Sequence, residues 1–139
     1  MTLELLATPE EVMRAVEALQ EFAGAHGVPE TTCFGLALAL EECASNVVNH
    51  ALQRDPLRKF KVVIERTGNN FVIELRDDGP AFDPTAAPDR RPPADNEDLP
   101  GGWGIPLVRR YIDEIRYHRD GAENVLRLTK RLAPVAGTS

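Results

Sequence analysis

At 139 residues the chain has the length of one domain with a two-layer core. Its 16 basic residues against 22 acidic ones give a net charge of −6 and an isoelectric point near 5.1, so no basic field exists to displace counterions from nucleic-acid phosphates. MTLELLATPEE lacks the basic-then-apolar pattern of a signal peptide, and the longest apolar stretch, near Phe34–Leu40, is too short to span a bilayer. The expectation is a cytoplasmic protein that binds neither nucleic acid nor membrane. Cys33 and Cys43 form no CxxC pair and fall in a predicted helix, which reads as two buried free thiols rather than a disulfide or a zinc site.

Thr2–Leu6 alternates weakly and predicts an edge strand. Thr8-Pro9-Glu10-Glu11 is a helix start, with an N-cap threonine, proline at the first position and acids in the first turn. Val12, Val16, Leu19 and Phe22 follow at helical spacing until Gly24 and Gly27. A second helix runs from Pro29 to about Arg54, and its apolar residues Phe34, Leu36, Ala37, Leu38, Leu40, Val47 and Val48 nearly encircle it, which predicts a central position.

Phe60–Thr67 and Phe71–Asp77 read as strands joined by a hairpin at Gly68-Asn69-Asn70. Phe71, Ile73 and Leu75 share one face, and Asp77 has the same parity. An acid therefore stands where the next core residue is due. Pro84–Pro100 holds five prolines in 17 residues and few apolar groups, a loop of lid-like length. Gly101–Gly104 leads into a helix over Ile105–Tyr111 with Pro106 in its first turn. Ile112–His118 and Asn124–Leu132 close the chain as strands turned at Asp120-Gly121, and residues 133–139 form a disordered tail.

Three features carry chemistry. Glu42 and Asn46 are an i,i+4 pair, and Asn49 and His50 follow on the same expected helix side. Such a polar face inside an apolar segment is costly unless something occupies it. Asn46 offers a neutral oxygen suited to Mg²⁺, and Glu42 is placed to orient or deprotonate a hydroxyl; the bland alternative is an ordinary buried polar pair. Asp77 accepts hydrogen bonds only, which suits adenine's amino group, while Gly79 permits close approach of a base. The same tetrapeptide also reads as a plain turn. Gly101, Gly102 and Gly104 ahead of a helix can present N–H groups to phosphates or serve as a hinge. Trp103 reads as an apolar plug, and His50 either contacts phosphate or is structural. Arg109 and Arg110 admit phosphate contact or surface pairing, and Asn124 has a turn or cap role by default.

E-x-x-x-N (Glu42, Asn46, then His50), D-x-G-x-A-F (Asp77 to Phe82) and G-G-W-G-I (Gly101 to Ile105) resemble the N, G1 and G2 boxes of the GHKL ATPase superfamily. The similarity spans about Leu3 to Leu132 and is nearest to the small anti-sigma-factor serine/threonine kinases. That resemblance implies an α/β two-layer sandwich, the Bergerat fold, with helices on one face of a mixed, mostly antiparallel sheet. It implies one ATP-binding domain over residues 1–132 with an ATP lid over 84–103. Its expected cofactors are ATP and Mg²⁺, with Glu42 as catalytic base and Asn46 on the metal. Asp77 would bind adenine, while Asn49, His50, Gly79, Ala81, Gly101, Gly102, Gly104 and Ile105 would complete the nucleotide site. Ala81 stands where many members carry glycine, and the lid lacks the further glycines of longer ones. Proteins of this kind phosphorylate a serine or threonine on a STAS-type antagonist, sequester a sigma factor and often dimerise. A partner-switching module that binds ATP without transferring phosphate would look almost the same in sequence.

Overall fold

The computed structural model describes residues 1–86 and 100–132, with the side chains of residues 100–104 excepted. Five strands, β1 (Thr2–Leu6), β2 (Lys59–Thr67), β3 (Asn70–Asp77), β4 (Glu114–Asp120) and β5 (Glu123–Arg131), form one sheet in the order β1-β2-β3-β5-β4. Every pairing is antiparallel, so the parallel component that a mixed sheet would allow is not used. Among the described residues three α-helices, α1 (Pro9–Ala25), α2 (Glu30–Asn46) and α3 (Pro100–Tyr111), complete the α/β layers, with α2 packed between the other two.

Each hairpin follows from local chemistry. The turns Gly68-Asn69 and Gly121-Ala122 place glycine at φ 60° and 62°, where a side chain would be strained, and this geometry matches the twist of the paired strands. Phe60, Val62 and Ile64 of β2 and Phe71, Ile73 and Leu75 of β3 point into one core with Leu36, Ala39 and Leu40 of α2. Thr8 caps α1 as its spacing requires, its hydroxyl accepting from the Glu11 amide at 3.2 Å. Gly35 lets α3 lie close on α2, because a Cβ there would meet Tyr111 Cδ1 at 2.6 Å.

Four expectations change. The second helix is central, but Phe34 is 62% exposed and rests edge-on to Tyr111 instead of entering the core. Its α-helical portion ends at Asn46, and Val47–Ala51 continues as a π-helical turn, closed by Leu52 N–H donating to Val47 O at 2.8 Å. The α-helical projection that put Asn49 and His50 on the side of Glu42 and Asn46 does not apply within this wider turn. The third helix begins at Pro100, which places Gly101, Gly102 and Gly104 inside it and makes Pro106 an interior residue. Finally, only Cys43 is fully buried; Cys33 is half-buried, and both thiols are free. Most of the expected lid, residues 87–99, and the tail, 133–139, lie outside the described residues. No helix among the described residues is long and apolar enough to cross a membrane.

Candidate functional site

The inward row of β3 ends on the acid that its alternation predicts. Asp77 is 4% exposed, whereas its neighbour Asp78 turns outward to an ion pair with Arg58 at 2.8 Å. Asp77 Oδ1 accepts two hydrogen bonds, from the Gly79 amide at 2.8 Å and from Asn124 Nδ2 at 2.9 Å. Among the described residues Oδ2 receives none. Burial raises the Asp77 pKa, and the bonds from Asn124 and Gly79 and the charge of Arg119 oppose that rise.

Gly79 packs hard against the π turn: a Cβ there would come within 2.4 Å of the Ala51 carbonyl oxygen. The turn that ends α2 and the loop that follows β3 are thereby pressed together, and no other residue fits at that contact. Across it, the His50 ring stacks on Phe82, with centroids 5.6 Å apart and planes 24° from parallel. His50 is exposed, and Asn49 Oδ1 accepts from Arg54 Nε at 3.3 Å.

Asn46 and Asp77 lie 31 positions apart yet line the same cavity, along with Cys43, Phe82, Tyr117 and Asn124. Its volume is about 10 Å³, room for one water. Asn46 is 4% exposed. Glu42, one turn earlier, is half-buried and outside the cavity wall; burial raises its pKa, and the adjacent Glu41 adds to the rise. Cys43 in the wall is inert, its thiol pushed up to about 12 by burial. Ala81 is exposed and outside this cavity, while Ile105 is buried. Among the described residues no three His, Cys, Asp or Glu side chains form a metal cage. A single amide oxygen at Asn46 fits a hard cation that keeps most of its shell in water and phosphate oxygens.

The residue that sequence reasoning passed over is Asn124. It faces Asp77 directly across the β3–β5 pair and is equally buried at 4%. Its Nδ2 donates to Asp77 Oδ1 and to Pro80 O, both at 2.9 Å. Its Oδ1 accepts from the Phe82 amide and Arg119 Nη1, each at 3.1 Å, and from the Tyr117 hydroxyl at 2.5 Å. The available signal was parity: Asn124 continues the inward row of Leu126 and Leu128 as Asp77 continues that of Leu75.

Residues 5–130 match the histidine kinase-like ATPase domain. The chain belongs to the histidine kinase-like ATPases. Among proteins of this family it is similar to the Serine/threonine-protein kinase BtrW of Bordetella bronchiseptica, with 30% identity over 136 residues covering 96% of this chain and 94% of that one. The solved RsbU and RsbW domains of Rv1364c from Mycobacterium tuberculosis superpose with a TM-score of 0.70 at 19% identity, over 95% of this chain and 31% of that longer one. The SiaB–SiaC complex from Pseudomonas aeruginosa gives 0.62 at 15% identity, over 94% and 88% of the two chains. These structural likenesses establish the ATPase fold; the sequence match ties the chain to a protein named as a kinase.

Proposed function

We propose that this histidine kinase-like ATPase binds Mg²⁺-ATP and transfers the γ-phosphoryl group to a serine or threonine of a STAS-type antagonist, and that it sequesters a sigma factor in the alternate complex. The observation that carries the reading is the meeting of Asn46 and Asp77 in one buried cavity, with Glu42 a helical turn away from Asn46. The sequence match to a serine/threonine kinase over 96% of the chain supports the transferase half.

Each residue then has a role that its chemistry permits. Asp77 Oδ2 accepts the exocyclic amino group of adenine, and Gly79, seated against Ala51 O, holds the loop whose amide donates to Asp77 Oδ1. Asn46 supplies the protein oxygen for Mg²⁺, whose charge neutralises phosphate oxygens when it is bound. The first N–H groups of a helix have no partner inside it, so Gly101 and Gly102 in the first turn of α3 offer donors with no side chain in the way. Pro100 at the helix start lacks an N–H, so it sacrifices none. Residues 84–103 serve as the lid of a domain spanning 1–132. In the transfer, the substrate hydroxyl oxygen bonds to phosphorus, the bond to ADP breaks, and a Glu42 carboxylate oxygen takes the hydroxyl proton. A carboxylate that burial holds above its ordinary pKa is the stronger base for that step.

A pull-down from native cells with and without Mg-ATP, followed by incubation of the recovered STAS protein with radiolabelled ATP, tests the proposal. Phosphoserine or phosphothreonine on that protein is the expected product. Measurable ATP affinity with no transfer to any recovered partner would overturn the kinase reading in favour of a switch that only binds.

A further inference from the structure

Resting on that nucleotide-site reading, the geometry points to Asn124 as the specificity-determining residue: by saturating one oxygen of Asp77, it leaves an acceptor adequate for adenine and one oxygen short for guanine. A carboxylate oxygen has two lone-pair sites. Oδ1 of Asp77 has both filled, one by the Gly79 amide at 2.8 Å and one by Asn124 Nδ2 at 2.9 Å. Adenine brings one exocyclic amino group to such a site. Guanine brings two parallel donors, N1–H and the 2-amino group, and these pair best with both oxygens of a free carboxylate. With Oδ1 closed, that two-point pairing is unavailable, and guanine's carbonyl faces an acid.

The amide orientation is not arbitrary. Its nitrogen meets two acceptors, Asp77 Oδ1 and Pro80 O, and its oxygen meets three donors, from Phe82, Tyr117 and Arg119. A flipped amide would set donors against donors and acceptor against acceptor. Arg119 Nη1 also donates to Gly79 O at 2.8 Å, so the clamp holds the second donor to Asp77 as well. Asn124 is thus a positioning residue, acting on the base through Asp77.

The same contact makes the site's pH response a second readout. Burial raises the Asp77 pKa, with the Asn124 hydrogen bond the largest opposing influence. The other groups near the carboxylate are Asp78, which raises it, and Arg119, which lowers it. Tyr117 on β4 and the Cys43 thiol on α2 share the cavity, and the nearby Arg58 is held by Asp78. Loss of the Asn124 donor therefore moves the Asp77 pKa further up.

The test is competition of ATP and GTP against a fluorescent ADP analogue across pH 5–8, with wild type, Asn124→Ala and Tyr117→Phe. Wild type is expected to prefer ATP. Asn124→Ala is expected to narrow the ATP:GTP ratio by about tenfold and to lose ATP binding at a higher pH than wild type. Tyr117→Phe, which removes one bond to the amide oxygen and no core volume, is expected to narrow the ratio by about two- to threefold. A general loss of packing would weaken both nucleotides equally and leave the ratio and the pH midpoint in place. An unchanged ratio in Asn124→Ala overturns the inference, and if that variant does not fold, an unchanged ratio in Tyr117→Phe does so. A wild-type protein that binds no adenine nucleotide overturns the underlying site reading instead.

Discussion

Asp77 and Glu42 are both carboxylates drawn out of water, and burial raises the pKa of each, yet their surroundings are built in opposite senses. Around Asp77 the protein places donors: the Gly79 amide, the Asn124 amide and the charge of Arg119. Around Glu42 the next-largest influence is another acid, Glu41, which pushes the same way as burial. The donors of the first environment partly offset what burial does to the charge, which suits the proposed recognition of a base. The second favours the protonated form throughout, which suits the proposed acceptance of a proton. The contrast follows from backbone context, since Asp77 sits at a strand end with a partner strand opposite, whereas Glu42 lies mid-helix where backbone N–H groups are already spent.

Removing the charge separates the two roles. Glu42→Gln is expected to cut phosphotransfer at least about 100-fold while ATP affinity stays near wild type, as read by single-turnover transfer beside equilibrium binding. The same variant sharpens the contrast through stability. The folded-state pKa of Glu42 lies above its unfolded value, so the folded chain binds this proton more tightly. The cost of ionising it is absent below the unfolded value and fully present above the folded one. Glu42→Gln should therefore raise Tm by about 1–2 °C at pH 7, discounted for partial solvent exposure, and leave it unchanged near pH 4. Transfer that persists in this variant would remove Glu42 from the chemistry.

Asp77→Asn is expected to weaken ATP by about 10- to 100-fold, measured by calorimetry, because an amide can turn a donor toward adenine's amino group. Retained affinity would dissolve the comparison by showing that Asp77 recognises nothing. The smallest expected effect is the finest probe. Glu41→Gln removes the repulsion that helps lift Glu42, so the acid limb of the transfer rate should move to lower pH. An unmoved limb would assign it to another group.

Much of the fold was legible because its signals are local. The Thr8-Pro9 cap, the two glycine turns and the period-2 row ending in Asp77 each depend on residues within a few positions of one another. The i,i+4 placement of Glu42 and Asn46 holds for the same reason, since it lies within an unbroken α-helix. Past Asn46 that rule no longer applies: Val47–Ala51 is a π turn, and no periodicity announces a widened turn. The exposure of Phe34 likewise depends on which flank α3 covers.

Sequence alone thus determined which residues could form the site: an inward acid, a helical carboxylate with an amide one turn on, and glycines at a helix start. Tertiary structure decided what those groups can do. Strand register sets Asn124 opposite Asp77, and close packing presses Gly79 onto Ala51 O. The reason is range: backbone propensity acts over a few residues, whereas register and contact between distant segments are chosen by burial of the whole core.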